Sequence, residues 1–445
     1  VDIVLYIVGI VVVVIGLALS IALHEIGHLV PAKLFKVRVS QYMIGFGPTI
    51  FSRRIGETEY GLKALPLGGY ISMAGMYPPA KDGETAPTAG TGFFQTLVQD
   101  ARRSSDSTIE TGHEDRVFYT LPIYKRIIIM LGGPFMNLLI AVVLYAVLLM
   151  GFGAAQASTT LASVQKCVIP ASSVSGDTPT SCSASDAPSP AAAAGLRAGD
   201  TLVSIDGTPV TSWAQGTAII RASSGTTLSV VIRRDGAERT VSLTPRPNSV
   251  YKYDSDGVII KDAAGDPVTT TVGFVGISPT TVYVQQPATA VLPAVWDNTA
   301  RVAGVIVNLP QRVVGVVNAA FGSGARDPNG PIGLIGVGRI AGEIAATDTA
   351  TLSSRFASLV GLVASVNVAL LVFNLVPLLP LDGGHVAGAL WEGIRRAFAR
   401  LFRRKDPGPV DTAKLVPLTF AVVILLGGLS VLLAYADIVK PITLG

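Results

Sequence analysis

The sequence predicts a polytopic α-helical membrane protein with four transmembrane helices, a membrane-associated β-hairpin and an inserted extracytoplasmic α+β domain. Three observations predict it. Of 445 residues, 49% are hydrophobic and only 14% charged, well below the charge content of an ordinary soluble domain. Four uncharged runs, 3–23, 127–156, 356–381 and 415–436, reach the ~20 residues a helix needs to cross a bilayer. Between the second and third runs lies a long segment of short alternating strands and turn signals, which reads as a soluble insertion. The lipid bilayer is therefore an expected partner. No basic cluster is interleaved with aromatics, so nucleic acid is not.

Charge asymmetry orients the chain. The loop 31–126 carries twelve Lys and Arg, and the short loop 385–414 carries seven, including RRAFARLFRRK at 395–405. The middle segment carries fourteen, spread over a far greater length. The positive-inside rule places both loops in the cytoplasm, and the middle segment with both termini outside.

Residues 1–36 read as the first transmembrane helix. It lacks a basic n-region and a small-x-small cleavage site, so it is expected to be a retained span. It runs into His24-Glu25-Ile26-Gly27-His28. On one helix His24 and His28 stand at i and i+4, on a shared face. That spacing lets two imidazoles ligate one zinc ion, with Glu25 beside them to handle a proton. This is the H-E-x-x-H signature of zinc metalloproteases. The bland alternative is a structural histidine pair, but two His and a Glu are costly at the end of an apolar helix unless they have a task. His24 lies roughly 30 Å along the helix from Ile3, near the cytoplasmic face.

Residues 37–126 read as a cytoplasmic, membrane-associated β region and a mobile loop. Gly45-Phe46-Gly47 and LPLGGYISMAG at 65–75, with Gly68 and Gly69, fit a β-hairpin. Residues 78–115 are polar and rich in Pro, Gly and Ser, so they are expected to be mobile, with His113 a surface histidine. The second transmembrane helix, 127–157, opens with LGGPFMN at 131–137. Gly132, Gly133 and Pro134 permit close helix approach, and Asn137 is a polar group in an apolar run.

Residues 158–250 read as an extracytoplasmic linker and a small domain. Cys167 and Cys182 either form a disulfide or remain two thiols; the sequence leaves both open. An Asp206-Gly207 turn, a capping-box pattern at Ser212 and Gln215, and a hairpin turning at Asp235-Gly236 follow. Residues 251–355 read as β structure, notably over 267–296, followed by an amphipathic helix over 288–322 on the outer membrane face or against the small domain.

The third transmembrane segment, 356–384, ends in NLVPLLPLDGG at 374–384. A catalytic zinc site needs a third protein ligand, and Asp382 is the candidate. Pro377 and Pro380 break the helix, and Gly383 and Gly384 allow a turn that aims the carboxylate. His385 is read as an interface residue or a residue that supports the ligands, because two His and one carboxylate already complete the set. Residues 385–414 read as a basic cytoplasmic loop, and 415–445 as the fourth transmembrane helix and tail.

HEIGH, the GFG and GGY strands, GGPFMN and NLVPLLPLDGG together resemble the site-2 protease family of intramembrane zinc metalloproteases. The small domain resembles a PDZ domain, which makes the chain similar to the bacterial sigma-regulating, RseP-like branch. The resemblance implies Zn2+ on His24, His28 and Asp382, Glu25 as the catalytic residue, and Asn374 contacting substrate. It implies cleavage within transmembrane segments of single-span proteins already shortened by another protease, such as anti-sigma factors. A PDZ-like domain implies capture of a peptide C-terminus or exclusion of longer substrates by size. Relatives with two PDZ domains differ from this chain, which shows one. Competing readings are an inactive membrane PDZ scaffold, a different HExxH membrane metalloprotease with a downstream Glu ligand, and a metal transporter.

Overall fold

The computed structural model describes residues 2–78, 93–109, 115–168, 182, 187–252, 259–260, 262, 266–322, 326–327 and 330–442. The chain divides into two compact units, one of residues 1–152 and 286–445 and the other of residues 153–285.

The first unit opens with helix α1, Ile3–Leu34. Asp2 caps it, accepting from the Val4 and Leu5 amides at 2.9 and 3.3 Å, donors that otherwise have no helical partner. The helix runs unbroken through the HEIGH stretch. Strands β1, Val39–Ile55, and β2, Thr58–Met73, pair antiparallel around a turn at Gly56. Their register slips: as β1 goes from Ile44 to Phe46, β2 goes from Gly69 to Leu65, so β2 carries the surplus residues of a bulge. Gly68 sits in it at φ +143°, where a Cβ would lie 2.5 Å from the Phe46 ring.

The polar stretch 78–115, expected to be mobile, contains helix α2, Phe93–Asp106. Its Arg102 pairs with Asp411 and its Ser105 hydroxyl accepts from the Tyr77 amide at 3.0 Å, so tertiary anchors fix a weakly apolar helix. Residues 79–92 and 110–114, with His113, lie outside the described residues. Helix α3, Ile123–Ala146, widens into a π turn over Val147–Phe152. The second span is expected to reach 157, but Gly153 at φ +92° ends it and a strand begins at Ala154.

The second unit is α+β. Strand β3, Ala154–Val164, is followed by the short helix α4, Pro190–Ala193, and strands β4, Thr201–Ile205, and β5, Thr208–Pro209. Helix α5, Trp213–Ala222, precedes β6, Leu228–Arg234, and β7, Ala237–Leu243. Strands β8, Arg246–Tyr251, β9, Thr269–Phe274, and β10, Ile277–Val284, complete it. The main sheet runs β10-β3-β4-β6-β7 with β5 beside β4, and β8 pairs β9 separately. Leu161, Leu202, Ile205, Val230 and Ile232 form its core with Ile220 of α5. Cys167 and Cys182 are joined in a disulfide. The capping box is half as expected: Ser212 accepts from the Gln215 amide at 3.2 Å, whereas the Gln215 side chain accepts from the Thr211 amide at 3.0 Å, one residue earlier than the pattern implies.

The first unit resumes with helices α6, Val291–Val307, and α7, Leu309–Phe321. The single amphipathic helix expected over 288–322 is thus two helices bent by 71°. Asn308 interrupts it and Pro310 sits in the first turn of α7, where a missing amide is tolerated. Helix α8, Leu334–Ala346, was not anticipated. Helix α9 spans Leu352–Asn374 and stops before Pro377, one of the two prolines expected to break the helix within the segment 356–384. The segment expected to be a basic loop is mostly helix α10, Asp382–Leu401. Helix α11, Val416–Val439, ends the described fold. Val13 of α1 packs with Ala341 and Ala345 of α8 and Leu359 of α9.

Among the described residues, four helical stretches are long and apolar enough to span a membrane: Ile3–Leu34, Ile123–Phe152, Leu352–Asn374 and Thr412–Val439. The bent α6–α7 pair would make a fifth if it counts as one broken span. The architecture is that of a polytopic helical membrane protein.

Inside the second unit, buried Asp200 receives Arg234 Nε and Nη2 at 2.6 and 2.7 Å and the Arg197 amide at 2.8 Å. Burial pushes the Asp200 carboxyl up, but these donors more than reverse that, and its pKa falls below the usual value. A lowered folded-state pKa stabilises above the unfolded value of ~3.9 and is lost as pH falls through the folded value. Asp200→Asn should therefore destabilise this unit by about 2–3 kcal/mol at neutral pH. In calorimetry of the full chain, the difference between variant and wild type should shrink as the buffer is taken below pH ~4.

Candidate metal centre

The centre is built where α1 and α3 touch backbone to backbone. A Cβ on Gly27 would lie 2.2 Å from the Gly132 carbonyl oxygen, and one on Gly132 would lie 1.9 Å from the Gly27 oxygen. Pro31 removes the amide that would otherwise bond that Gly27 carbonyl. One residue further, a Cβ on Gly133 would lie 2.2 Å from His28 Nε2 and 2.7 Å from His24 Nε2. Gly132 and Gly133, singled out in the sequence for close approach, are thus required at the point where the two histidines converge.

The continuous helix puts both imidazoles on one face. His28 Nδ1 lies 2.7 Å from the Ile129 carbonyl oxygen. An acceptor there fixes the Nδ1–H tautomer and leaves the Nε2 lone pair facing inward. Asn137 lies 3.1 Å from His24 Nδ1 by its amide nitrogen, while its buried amide oxygen has no partner. With the amide turned over, its oxygen accepts from His24 Nδ1–H, and His24 Nε2 is also free.

Asp382 arrives from the far end of the sequence as the first residue of α10. Residues 375–381 form a non-helical bend with a cis Leu379–Pro380 bond. Gly383 and Gly384 press against it. Their Cβ atoms would lie 2.4 Å from the Leu375 and Val376 oxygens and 2.5 Å from the Leu379 nitrogen. Asp382 Oδ2 then stands 3.4 Å from His24 Nε2 and 3.3 Å from His28 Nε2, and the two Nε2 atoms are 3.2 Å apart. This is the group of His, Cys, Asp or Glu found among the described residues with ligand atoms close enough to share a metal ion.

Three lone-pair atoms do not converge in a buried site without something positive between them. Asp382 Oδ2 is buried with no hydrogen-bond donor. A tetrahedral metal with bonds of about 2.0–2.1 Å holds its ligand atoms about 3.3–3.4 Å apart. The observed separations match that spacing, and the two-imidazole, one-carboxylate donor set suits a borderline divalent cation.

Glu25 is 8% exposed and borders a cavity of about 650 Å³. Gly69 of β2 lies against it: a Cβ there would come within 2.9 Å of Glu25 Cγ. Gly68, Gly69, Asn137 and Asn374 line the cavity beside His24 and Glu25. Asn374 ends α9 and makes no side-chain hydrogen bond to a described residue. Gly45 and Gly47 are not among the lining residues; at φ +93° and +84° they shape β1 instead. His385 lines a small separate pocket with Arg126 and Glu392.

Two contributions were not foreseen. Tyr42 of β1 donates to the Ala22 carbonyl at 2.8 Å, tying the strand to α1 just before the motif. Burial, and then nearby Glu25, push its phenol up to about 12, so it stays a donor. An apolar part of the cavity lining comes from Ile332, Leu334 and Ile335 with Leu433 and Ala434 of α11. Nothing in their spacing marks them; only the position of α8 does.

The profile of peptidase family M50 matches residues 12–405. The chain belongs to peptidase family M50. It is 33% identical over 446 residues to zinc metalloprotease Rip1 of Mycobacterium tuberculosis, covering 99% of each chain. It is 32% identical over 457 residues to Rip1 of Mycolicibacterium smegmatis, covering 98% of each. Metalloprotease MmpA of Caulobacter vibrioides is 27% identical over 397 residues, with 85% of each chain covered. As a member of M50, the chain is a membrane-embedded metallopeptidase of the site-2 type.

The two glycine contacts separate metal binding from chemistry. Gly133→Ala should lower metal content, measured by mass spectrometry of the purified protein, because its Cβ overlaps both imidazoles. Gly69→Ala should leave metal content unchanged and reduce peptidase turnover about tenfold or more, since its Cβ would crowd Glu25 first, with Ile21 and the Met43 carbonyl, and no ligand atom is among these nearest groups. Equal metal content in all three proteins would contradict the first assignment.

Proposed function

We propose that this chain is an intramembrane zinc metalloprotease in which His24, His28 and Asp382 hold the zinc and Glu25 is the catalytic acid–base. The observation that carries the assignment is the set of 3.2–3.4 Å separations among His24 Nε2, His28 Nε2 and Asp382 Oδ2, beside buried Glu25. Zinc, when bound, polarises a scissile carbonyl and lowers the pKa of attacking water.

The chain's own residues supply the rest. Glu25 accepts the proton from the attacking water and returns it to the leaving amine. Asn374, whose amide has no partner among the described residues, donates to the substrate backbone. A transmembrane helix hides its carbonyls in internal hydrogen bonds, so the scissile stretch must be extended. The cavity edge at Gly68 and Gly69 offers backbone groups for such a strand. The β1–β2 pair lies on the membrane at the cytoplasmic side, with the active site near that face and the 153–285 unit outside.

The substrates are single-span membrane proteins already shortened by another protease, with anti-sigma factors the expected class. The second unit acts as a PDZ-like module that captures a peptide C-terminus or excludes longer proteins by size. Its α+β composition, its Asp-Gly turns and the helix after β5 support that reading.

Purified enzyme in liposomes with a single-span reporter tests the assignment. Glu25→Gln should abolish cleavage, by about 100-fold or more, while retaining zinc. Asp382→Ala should lose zinc and activity together. Asn137→Leu should weaken zinc about 10–100-fold, read by chelator competition, with cleavage restored at high zinc. Cleavage by Glu25→Gln at the wild-type rate would remove Glu25 from the mechanism.

A further inference from the structure

Helix α10 has two different faces. Inward, Glu392 is fully buried and paired with Arg126 and Arg396, the latter at 3.0 Å, and it accepts from the Val410 amide at 3.0 Å. Outward, Trp391, Ile394, Phe398 and Phe402 recur at helical spacing and are 57%, 48%, 57% and 64% exposed. Phe398 and Phe402 stack with ring centres 6.3 Å apart. After Leu401 the chain reverses: Arg403 takes φ +51°, and the Arg404 amide bonds the Ala399 carbonyl at 2.7 Å. The reversal returns Arg404 and Lys405 to the aromatic face, and with Arg395 they rim a groove of about 530 Å³ floored by the aromatic residues. The side chains of Arg395, Arg404 and Lys405 make no ion pair with a described residue.

We propose that this groove binds an anionic phospholipid of the cytoplasmic leaflet, with its phosphate at Arg395, Arg404 and Lys405 and an acyl chain along Trp391, Ile394 and Phe398. An apolar floor ending in three uncompensated cations is complementary to one ligand that is both hydrocarbon and anion. The charge complementarity decides against a neutral lipid, and the exposed aromatic floor decides against a free phosphate. The inference rests on the proposed orientation for its choice of leaflet. The same helix begins at Asp382, about 20 Å from the groove along its axis. A lipid seated there fixes the far end of the element that carries the third candidate ligand.

The test uses the full chain with Trp213→Phe and Trp296→Phe, which leaves Trp391 as the sole indole of three. In neutral detergent it is titrated with phosphatidylglycerol or phosphatidylcholine bearing brominated acyl chains. Phosphatidylglycerol should quench Trp391 saturably, with an apparent affinity at least about tenfold tighter than phosphatidylcholine. Arg395→Gln/Arg404→Gln/Lys405→Gln, checked for an unchanged melting temperature, should lose that preference. The proposal is overturned by equal quenching from both lipids or by an unaltered preference in the triple variant. Displacement by inorganic phosphate at the same concentration overturns it in favour of a plain anion site. A concentration-dependent change in Trp391 emission without lipid overturns it in favour of a second copy of the chain. No proteolysis is read, so failure here is distinct from failure of the peptidase assignment.

Discussion

At Gly27 and Gly132 no side chain separates α1 from α3, and the centre depends on that gap. Side chains at Gly27 or Gly132 would force the helices apart, because each Cβ would lie within 1.9–2.2 Å of the other helix's carbonyl oxygen. Helix contacts of this closeness occur in membranes where small residues replace a hydrophobic driving force. Here the contact also does chemistry. It brings the Ile129 carbonyl within 2.7 Å of His28 and the Asn137 amide within 3.1 Å of His24, so α3 orients both imidazoles without supplying a ligand. Gly133 then leaves room for the ligand atoms to meet.

The other parts of the site reach it by departing from regular structure. The third candidate ligand sits after a seven-residue bend, 375–381, which a continuous α9 could not provide. The strand beside Glu25 carries a bulge that lets Gly69 approach the carboxylate. Freed backbone groups in such bends are tolerated at membrane depth only when they are buried in protein or face a polar cavity. Regular helices give the centre its rigidity, and the irregular segments deliver the remaining groups.

Much of this was legible in the residues. HEIGH fixed a face because helical spacing is local, and the run of glycines in LGGPFMN announced close approach. Pro377, Pro380 and the Asp382-Gly383-Gly384 triplet announced a turn bearing a carboxylate. What the sequence concealed was tertiary. Apolar α8 sits between turn-rich segments, with a single charge pair, Arg339 and Glu343, to distinguish it from strand. Helix α10 was read as a loop because its basic residues were weighed as topology signals, although Leu390, Trp391, Ile394 and Phe398 have helical spacing. Helix α2 is held by Asp411, more than three hundred residues away. The partners of Asn137 and Tyr42 lie on other elements, so their roles followed only from the packing.

Buried polar groups show why the apolar wall of the cavity stays in place. Asp437, near the end of α11, is 1% exposed. It accepts from the Gly333 and Gly336 amides at 2.9 and 2.8 Å and pairs with Arg326 at 2.7 Å. The amides at the start of α8 have no helical acceptor of their own, so a carboxylate there is favoured by both hydrogen bonding and the helix dipole. Side chains at Gly333 or Gly336 would meet that carboxylate at 2.8–2.9 Å, so the glycine pair and the aspartate require each other. The lock holds Ile332, Leu334 and Ile335 in the lining of the cavity that Glu25 borders. The cavity therefore combines hydrogen-bonding groups with hydrocarbon. An extended peptide from a membrane segment has the same two requirements: its backbone needs polar partners once unwound, and its side chains remain apolar.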